Sequence, residues 1–276
     1  MQGAQQTLAL VFSSMCTIAI LFDVVAGAPL VVAANRDEVY ARPARPPESL
    51  GDRIVGGVDV LSGGTWLAIR GDGRFAAVTN QRVLTPPVPG LRSRGLAVKE
   101  LAAAADQDAY VAALDPAKYA SMNLVWGDAR GVAIAYARRD DGSVGRPGGA
   151  GAAVDIERLP RGIHVLCNDR LGAEGFPRAG RLADAIARAP LRWPEIVPSL
   201  ETALADHTRV EPPRSPLASR LSPELARELT ATCIHAPGYG TRSSTIIAAR
   251  PGETLAYLHA DGPPCTAPFI DRTALL

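Results

Sequence analysis

Short runs of consecutive apolar residues, separated by turn-forming residues, fill the first third of the chain, and stretches of helical composition enter only in two later blocks. Residues 16–22 (CTIAILF) and 29–38 (PLVVAANRDE) are apolar at adjacent rather than alternate positions, the pattern of strands covered on both faces. Gly27 between them suits a hairpin loop. Residues 42–50 are rich in Pro and Arg and read as a loop. A second pair of strands, 63–69 and 74–82, is joined by the turn Gly71-Asp72-Gly73. Residues 94–105 and 107–114 have helical composition, with Asp106 available as a cap. Strands resume at 122–128 and 131–137, and 162–169 is a further one. The Gly-rich stretch 140–151 reads as a surface loop, since it lacks the GxxxxGK[ST] pattern of a phosphate cradle. Helices are expected at 178–189, 193–206 and 223–230, the last two separated by the Pro-rich linker 210–216. Two strands, 241–250 and 254–260, close the chain. Strands at both ends with helices inserted in two blocks do not form βαβ units. The order predicts an α+β fold of layered antiparallel sheets in one domain.

The N-terminus needs a separate account. Residues 7–22 are almost wholly apolar, yet no Lys or Arg precedes them and Asp23 ends the run. The run therefore lacks the basic start of a secretory signal and is short for a spanning helix. We expect Met15 to be the initiator and residues 1–14 to be an upstream extension or propeptide, so that methionine removal leaves Cys16 with a free amine.

Charge and cysteine usage narrow the functional classes. A formal net charge of +1 gives no overall field for nucleic acid or an anionic membrane, so neither is an expected partner. The four cysteines, Cys16, Cys167, Cys233 and Cys265, contain no CxxC pair, which suits reduced thiols in a cytoplasmic protein. Cys233 and His235, with His259 and Cys265 further along, follow no common zinc-ligand spacing. No metal or organic cofactor is assigned.

There is no GxSxG elbow, HExxH, Walker motif or Rossmann glycine fingerprint, and only four histidines are present. An N-terminal cysteine needs no histidine, because its own α-amine, with a pKa of ~7.7–8.0, can take the thiol proton. The oxyanion formed by attack on a carbonyl requires fixed donors. Asn80 (AVTNQR) and Asn168 (LCND), at strand ends, are candidates. Asp37 could bond the Cys16 ammonium, Arg36 could favour its thiolate, and Arg242 could orient a carboxylate. Each also has an ordinary structural reading: a small buried hydrophobe for Cys16, a strand-end ion pair for Arg36 and Asp37, turn chemistry for the asparagines, and loop anchoring for Arg242.

Taken in order, Met15-Cys16 with its apolar strand, LVVAANRDE, SGGTWLAI, AAVTNQR, Ser93-Arg94-Gly95, NLVWGD and APGYGTRSSTII resemble the NRDE family, the transport and Golgi organisation protein 2-like proteins. Asn35-Arg36-Asp37-Glu38 is the namesake motif, and the resemblance runs from Met15 to about Ala260. It implies an N-terminal-nucleophile (Ntn) hydrolase-like four-layer αββα sandwich related to penicillin V acylase and bile salt hydrolase. It also implies Cys16 as nucleophile, Arg36 and Asp37 beside it, Asn80 and Asn168 as oxyanion donors, and Arg242 in support. Arg36 and Asp37 are adjacent here, whereas the acylases separate the two. Two functions are consistent with it. One is a thiol amidohydrolase cleaving a non-peptide amide through an acyl-cysteine intermediate. The other is a non-catalytic protein that binds or traffics a lipid-like or haem ligand in an apolar pocket.

Overall fold

The computed structural model describes residues 16–82, 88–139, 152–215 and 218–276. The start at Met15, the extension 1–14 and the loop 140–151 lie outside the described residues.

Strand β1 (Thr17–Phe22) pairs antiparallel with β2 (Leu30–Val39), through the turn that contains Gly27 at φ +86°. β1 is central because β10 (Gly162–Leu166) pairs on its other side. β12 (Tyr239–Arg250) adds to β2, followed by β13 (Glu253–Ala260) and β14 (Ile270–Asp271), with β11 (His235–Ala236) also on β12. The second sheet runs β3 (Ala44–Gly51), β4 (Ile54–Asp59), β5 (Leu67–Arg70), β6 (Phe75–Asn80), β7 (Met122–Asp128), β8 (Gly131–Arg138) and β9 (Ala153–Arg158), each antiparallel to the next.

Period-two alternation then builds three apolar layers. Ile18 and Ile20 of β1 face Leu67, Phe75, Val125 and Ile134 of the second sheet, while Ala19 and Leu21 face away. The outward face is covered by α3 (Pro177–Ala187) and α4 (Val197–Leu204), whose Leu182, Ile186, Leu200 and Leu204 are buried there. The outer face of the second sheet is covered by α1 (Arg94–Ala103) and α2 (Gln107–Ala112), with Val98, Leu101 and Val111 packed on Trp126 and Leu124. The result is the four-layer αββα arrangement. Asp106 caps α2 as expected, accepting from the Ala109 N–H at 2.9 Å.

The structure departs from the sequence reading along the edges of the second sheet. Residues 42–50 do not form a loop; most of them belong to β3, an outermost strand whose register slips between Arg45 and Glu48, around Pro46 and Pro47. Proline is tolerated there because an edge strand needs partners on one side only. β4 and β9 are also absent from the sequence reading, β9 being a partly exposed edge strand without an apolar run.

Two glycines fix how α1 meets this sheet. A Cβ on Gly64 would lie 2.3 Å from the Gly95 carbonyl carbon and 2.5 Å from the Leu96 nitrogen. The Thr65 N–H donates to the Gly95 carbonyl at 3.0 Å, so the first turn of α1 is pinned to the backbone leading into β5. Gly64→Ala is therefore expected to destabilise by ~1–3 kcal/mol, read as a lower urea midpoint. Gly131→Ala, where a Cβ meets nothing within 4 Å, is the control. Equal midpoints for the two variants would refute the close-approach account.

Candidate active site

Cys16 stands immediately before β1. Continuing the Thr17↔Asn35 register by one residue sets it across from Arg36, and continuing Ile18↔Leu166 by two sets it across from Asn168. By alternation its side chain faces between the sheets, as Ile18 does, and it is buried. Where the inter-sheet core ends, a cavity of about 330 Å³ opens, lined by Cys16, Arg36, Asn80, Arg242, Ser243 and His259 among others. Arg242 and Ser243 are neighbours in a strand, yet both reach this wall. The reason is a β-bulge: Thr241 pairs with Asp37 but Ser243 pairs with Arg36, leaving Arg242 as the extra residue.

Charge around the cavity is uneven. Among the described residues six arginines line it (Arg36, Arg42, Arg45, Arg92, Arg94, Arg242) against three acids (Glu38, Asp59, Asp261). Arg42 is taken up by Asp59 at 2.6 Å, Arg45 by Glu48 at 2.7 Å, and Arg92 by Glu100. Arg36 sits 3.8 Å from Glu38. Arg242 makes no side-chain hydrogen bond or ion pair among the described residues, and its Nε is buried without a partner.

Asp37 lies on the opposite face of β2 from Arg36 and is fully buried. Its Oδ1 accepts from Thr241 Oγ1 at 2.7 Å, while Oδ2 has no hydrogen-bond partner. Burial pushes this carboxyl up to about 7, against a smaller opposing pull from the buried guanidinium of Arg178. The backbone N–H of Asp37 donates to Cys16, yet burial and then the Asp37 charge push the Cys16 thiol up to about 12. Arg36 works in the other direction but is outweighed. Arg36 does favour the thiolate, as expected, but desolvation outweighs it and the thiol stays protonated near neutral pH.

The two asparagines part company. Asn80 reaches the cavity wall from the end of β6, whereas Asn168 does not line it. Asn168 is buried and its Nδ2 donates to the Asn80 carbonyl at 2.8 Å, an arrangement that positions Asn80. A buried polar seam holds this corner. Thr79 Oγ1 donates to the Cys167 carbonyl at 2.7 Å, and Asn123 Nδ2 donates to Thr79 Oγ1 at 2.9 Å and to the Asp169 carbonyl at 3.0 Å. Gln81 Nε2 donates to Asn123 Oδ1 at 2.8 Å, and the Arg82 N–H to the Asn168 carbonyl at 3.1 Å.

Sequence reasoning missed Arg178 and the place of Glu38 and Asp59 on the cavity wall. Arg178 had a signal: it stands in the buried i, i+4, i+8 stripe Arg178–Leu182–Ile186, where an apolar residue is expected. The cysteine and histidine grouping also changes. His259 bonds Thr245 through Nδ1 at 3.0 Å and lines the cavity, while Cys233, His235 and Cys265 gather elsewhere around His207.

The family model described as Transport and Golgi organisation 2 matches residues 15–259. The chain is 31% identical over 234 residues to the human Transport and Golgi organization protein 2 homolog, covering 79% of this chain and 81% of that protein. The cattle (Bos taurus) homolog is 30% identical over 235 residues, with the same coverage. Among solved structures, the Caenorhabditis elegans N-acylethanolamine-hydrolyzing acid amidase ortholog superposes with a TM-score of 0.49 at 11% identity, over 84% of this chain and 92% of that one. A mutant of conjugated bile acid hydrolase from Clostridium perfringens gives a TM-score of 0.48 at 10% identity, over 94% of this chain and 93% of that one. Among the described residues no helix is long and apolar enough to cross a membrane.

Asp37 makes a pH-dependent contribution with a definite sign. Its pKa in the folded chain, about 7, lies above the ordinary 3.8, so ionising it costs the fold. The favourable contribution is complete below about 3.8 and is lost as pH rises through about 7. In a chain that retains Met15, Asp37→Asn is expected to flatten this part of the stability profile, measured by urea unfolding across the interval. A mutant profile that keeps the wild-type slope would refute the assignment to Asp37.

Proposed function

The chain belongs to the Transport and Golgi organisation 2 family, and we propose that it is a thiol amidohydrolase whose nucleophile is Cys16 exposed as the N-terminal residue. The observation that carries this reading is the pairing of a protonated cavity thiol with a buried carboxylate oxygen, Asp37 Oδ2, that has no hydrogen-bond partner. A thiol held up to about 12 is not activated by its surroundings and needs a base at the moment of attack. The α-amine of an N-terminal Cys16 is that base. Its ammonium form gives Asp37 the missing donor and a compensating charge.

The steps follow from these groups. The α-amine takes the thiol proton as Sγ bonds to the amide carbon and the carbonyl π electrons move to oxygen. The side-chain amide of Asn80, whose backbone carbonyl is held by Asn168, donates to that oxyanion. Collapse breaks the C–N bond, and the leaving amine receives the proton from the α-ammonium. Water then attacks the thioester with its proton passing to the α-amine, which releases the acid and restores the thiol. The chain with a blocked amine is a zymogen on this reading.

The cavity also speaks to the substrate. About 330 Å³ suits a small molecule. Arg242 on its wall, which makes no side-chain hydrogen bond or ion pair among the described residues, is a receptor for a carboxylate or similar anion near the scissile amide. A lipid-like or haem cargo asks for an apolar wall, and the surplus of arginine gives that reading less support.

The test is intact mass of the natively started protein, then turnover of small N-acyl amides with and without a terminal carboxylate. The expected mass begins at Cys16, and Cys16→Ala and Cys16→Ser lower turnover by more than ~10³-fold with the fold unchanged. Turnover that survives Cys16→Ala, or that is supported by a chain retaining Met15, would overturn the proposal. Arg242→Gln is expected to raise KM for the carboxylate-bearing amides by roughly 10- to 100-fold, as for a lost charged hydrogen bond. Uncharged amides serve as the comparison, and an equal effect on both would remove Arg242 from anion recognition.

A further inference from the structure

His207, Cys233, His235 and Cys265 come from three separate segments and gather away from the cavity. His207 follows α4, Cys233 and His235 lie between α5 (Pro223–Glu228) and β12, and Cys265 lies in the connection from β13 to β14. One nitrogen or sulfur from each falls within 4.8 Å of all the others. Cys233 is fully buried, the other three are exposed, and none takes part in the chemistry proposed for Cys16.

The spacings are those of a shared ligand. A tetrahedral zinc ion, with Zn–S of ~2.3 Å and Zn–N of ~2.0–2.1 Å, sets two sulfurs ~3.8 Å apart and a sulfur and nitrogen ~3.5 Å apart. Here Cys233 Sγ and Cys265 Sγ are 3.8 Å apart, and His235 Nε2 is 3.6 Å from the first and 3.2 Å from the second. The His207 ring stacks at a tilt on His235, with centroids 5.0 Å apart. His207 Nδ1 is 3.2 Å from the Cys233 carbonyl, an acceptor. Donation from Nδ1–H fixes the tautomer and leaves Nε2 as the nitrogen free to coordinate, the usual outer bond of a metal-bound imidazole.

A disulfide is the competing account for two neighbouring thiols. It would need the sulfurs at ~2.05 Å and has no use for two imidazoles placed against them. Nor would two adjacent imidazoles gather with two thiols for packing, since three of the four side chains are exposed.

We propose that these four residues form a structural zinc site. Two thiolates and two neutral imidazoles complete a closed four-ligand set, the composition that selects zinc over harder cations. Each Sγ–H exchanges its proton for an Sγ–Zn bond, two protons pass to solvent, and the dication is neutralised. The ion staples the connection after β13 and the end of α4 to the segment that precedes β12. That segment reaches Asp37, because the Ile234 N–H donates to Thr241 Oγ1 at 2.9 Å and the same hydroxyl donates to Asp37 at 2.7 Å. Zinc thus braces the strand end that carries the buried carboxylate without touching the reaction.

The decisive measurement is zinc titration of the full chain, reduced and stripped with chelator, with metal content read after gel filtration. One equivalent is expected to remain, with a Kd tighter than ~1 µM and a raised Tm. Cobalt in its place should show the intense visible bands of a tetrahedral thiolate complex. Cys265→Ser and His207→Ala, both at exposed positions, should each weaken binding by at least ~100-fold while circular dichroism stays unchanged. Cys16→Ser should leave it intact, which separates this site from the cavity. Reduced chain that takes up no zinc overturns the proposal, as does binding that persists in both variants. So does a chain that refuses zinc and closes a Cys233–Cys265 disulfide instead.

Discussion

The hydrogen bonds that tie the end of β10 to the second sheet are the constraint on which the rest of the site depends. Two sheets joined only by apolar packing can slide, since burial is non-directional and a shift of register costs little until side chains collide. Thr79 and Asn123 remove that freedom at one end by donating to the carbonyls of Cys167 and Asp169, with Gln81 holding Asn123 in place. The bonds of Thr79 to Cys167 and of Gln81 to Asn123 lie out of water, where an unmade partner costs more than a made one contributes. The seam therefore fixes the separation between β1, which Cys16 immediately precedes, and β6, which ends at Asn80. It also explains why so polar a set of side chains is buried beside Cys16: they set position, and the apolar core behind them supplies the stability.

Electrostatics at the site run against the protein as long as the α-amine is blocked. Asp37 is buried on one side of β2 with an oxygen unmet, and Cys16 is desolvated on the other. On the proposed reading a free α-amine at Cys16 would relieve the first as an ammonium and, once deprotonated, serve the second as a base. The ionisation of the site would then follow the state of the N-terminus.

Much of this was legible in the sequence, for identifiable reasons. Continuous apolar runs marked β1 and β2 because both faces are covered, and Asp106 marked the start of α2 because capping is local chemistry. The GGTW and Ser93-Arg94-Gly95 motifs, which help carry the family resemblance, have a physical cause in the contact of Gly64 with Gly95. The features that stayed hidden depend on distant contacts. β3 and β9 are edge strands that need no apolar alternation, and the prolines of β3 read as a loop. Asn168 has the composition of an oxyanion donor, and only the fold turns it toward the Asn80 carbonyl. His207 joins residues 26 and more positions away, a separation that no local ligand spacing encodes.

The extra residue in β12 has a further meaning for how this strand tolerates change. Before it, Thr241 faces the helical side with Asp37; beyond it, Ser243 faces the cavity and Ile247 the inter-sheet core. The strand therefore changes its inside–outside phase at Arg242, and its two halves follow opposite parities. Losing Arg242 would close the bulge and leave Thr241 opposite Asp37 and Ser243 opposite Arg36, each on its own face, so only the guanidinium on the cavity wall would go. Losing a residue elsewhere in β12 has no such cover: one part of the strand would slip against β2 and its side chains would be transposed between oil and polar groups.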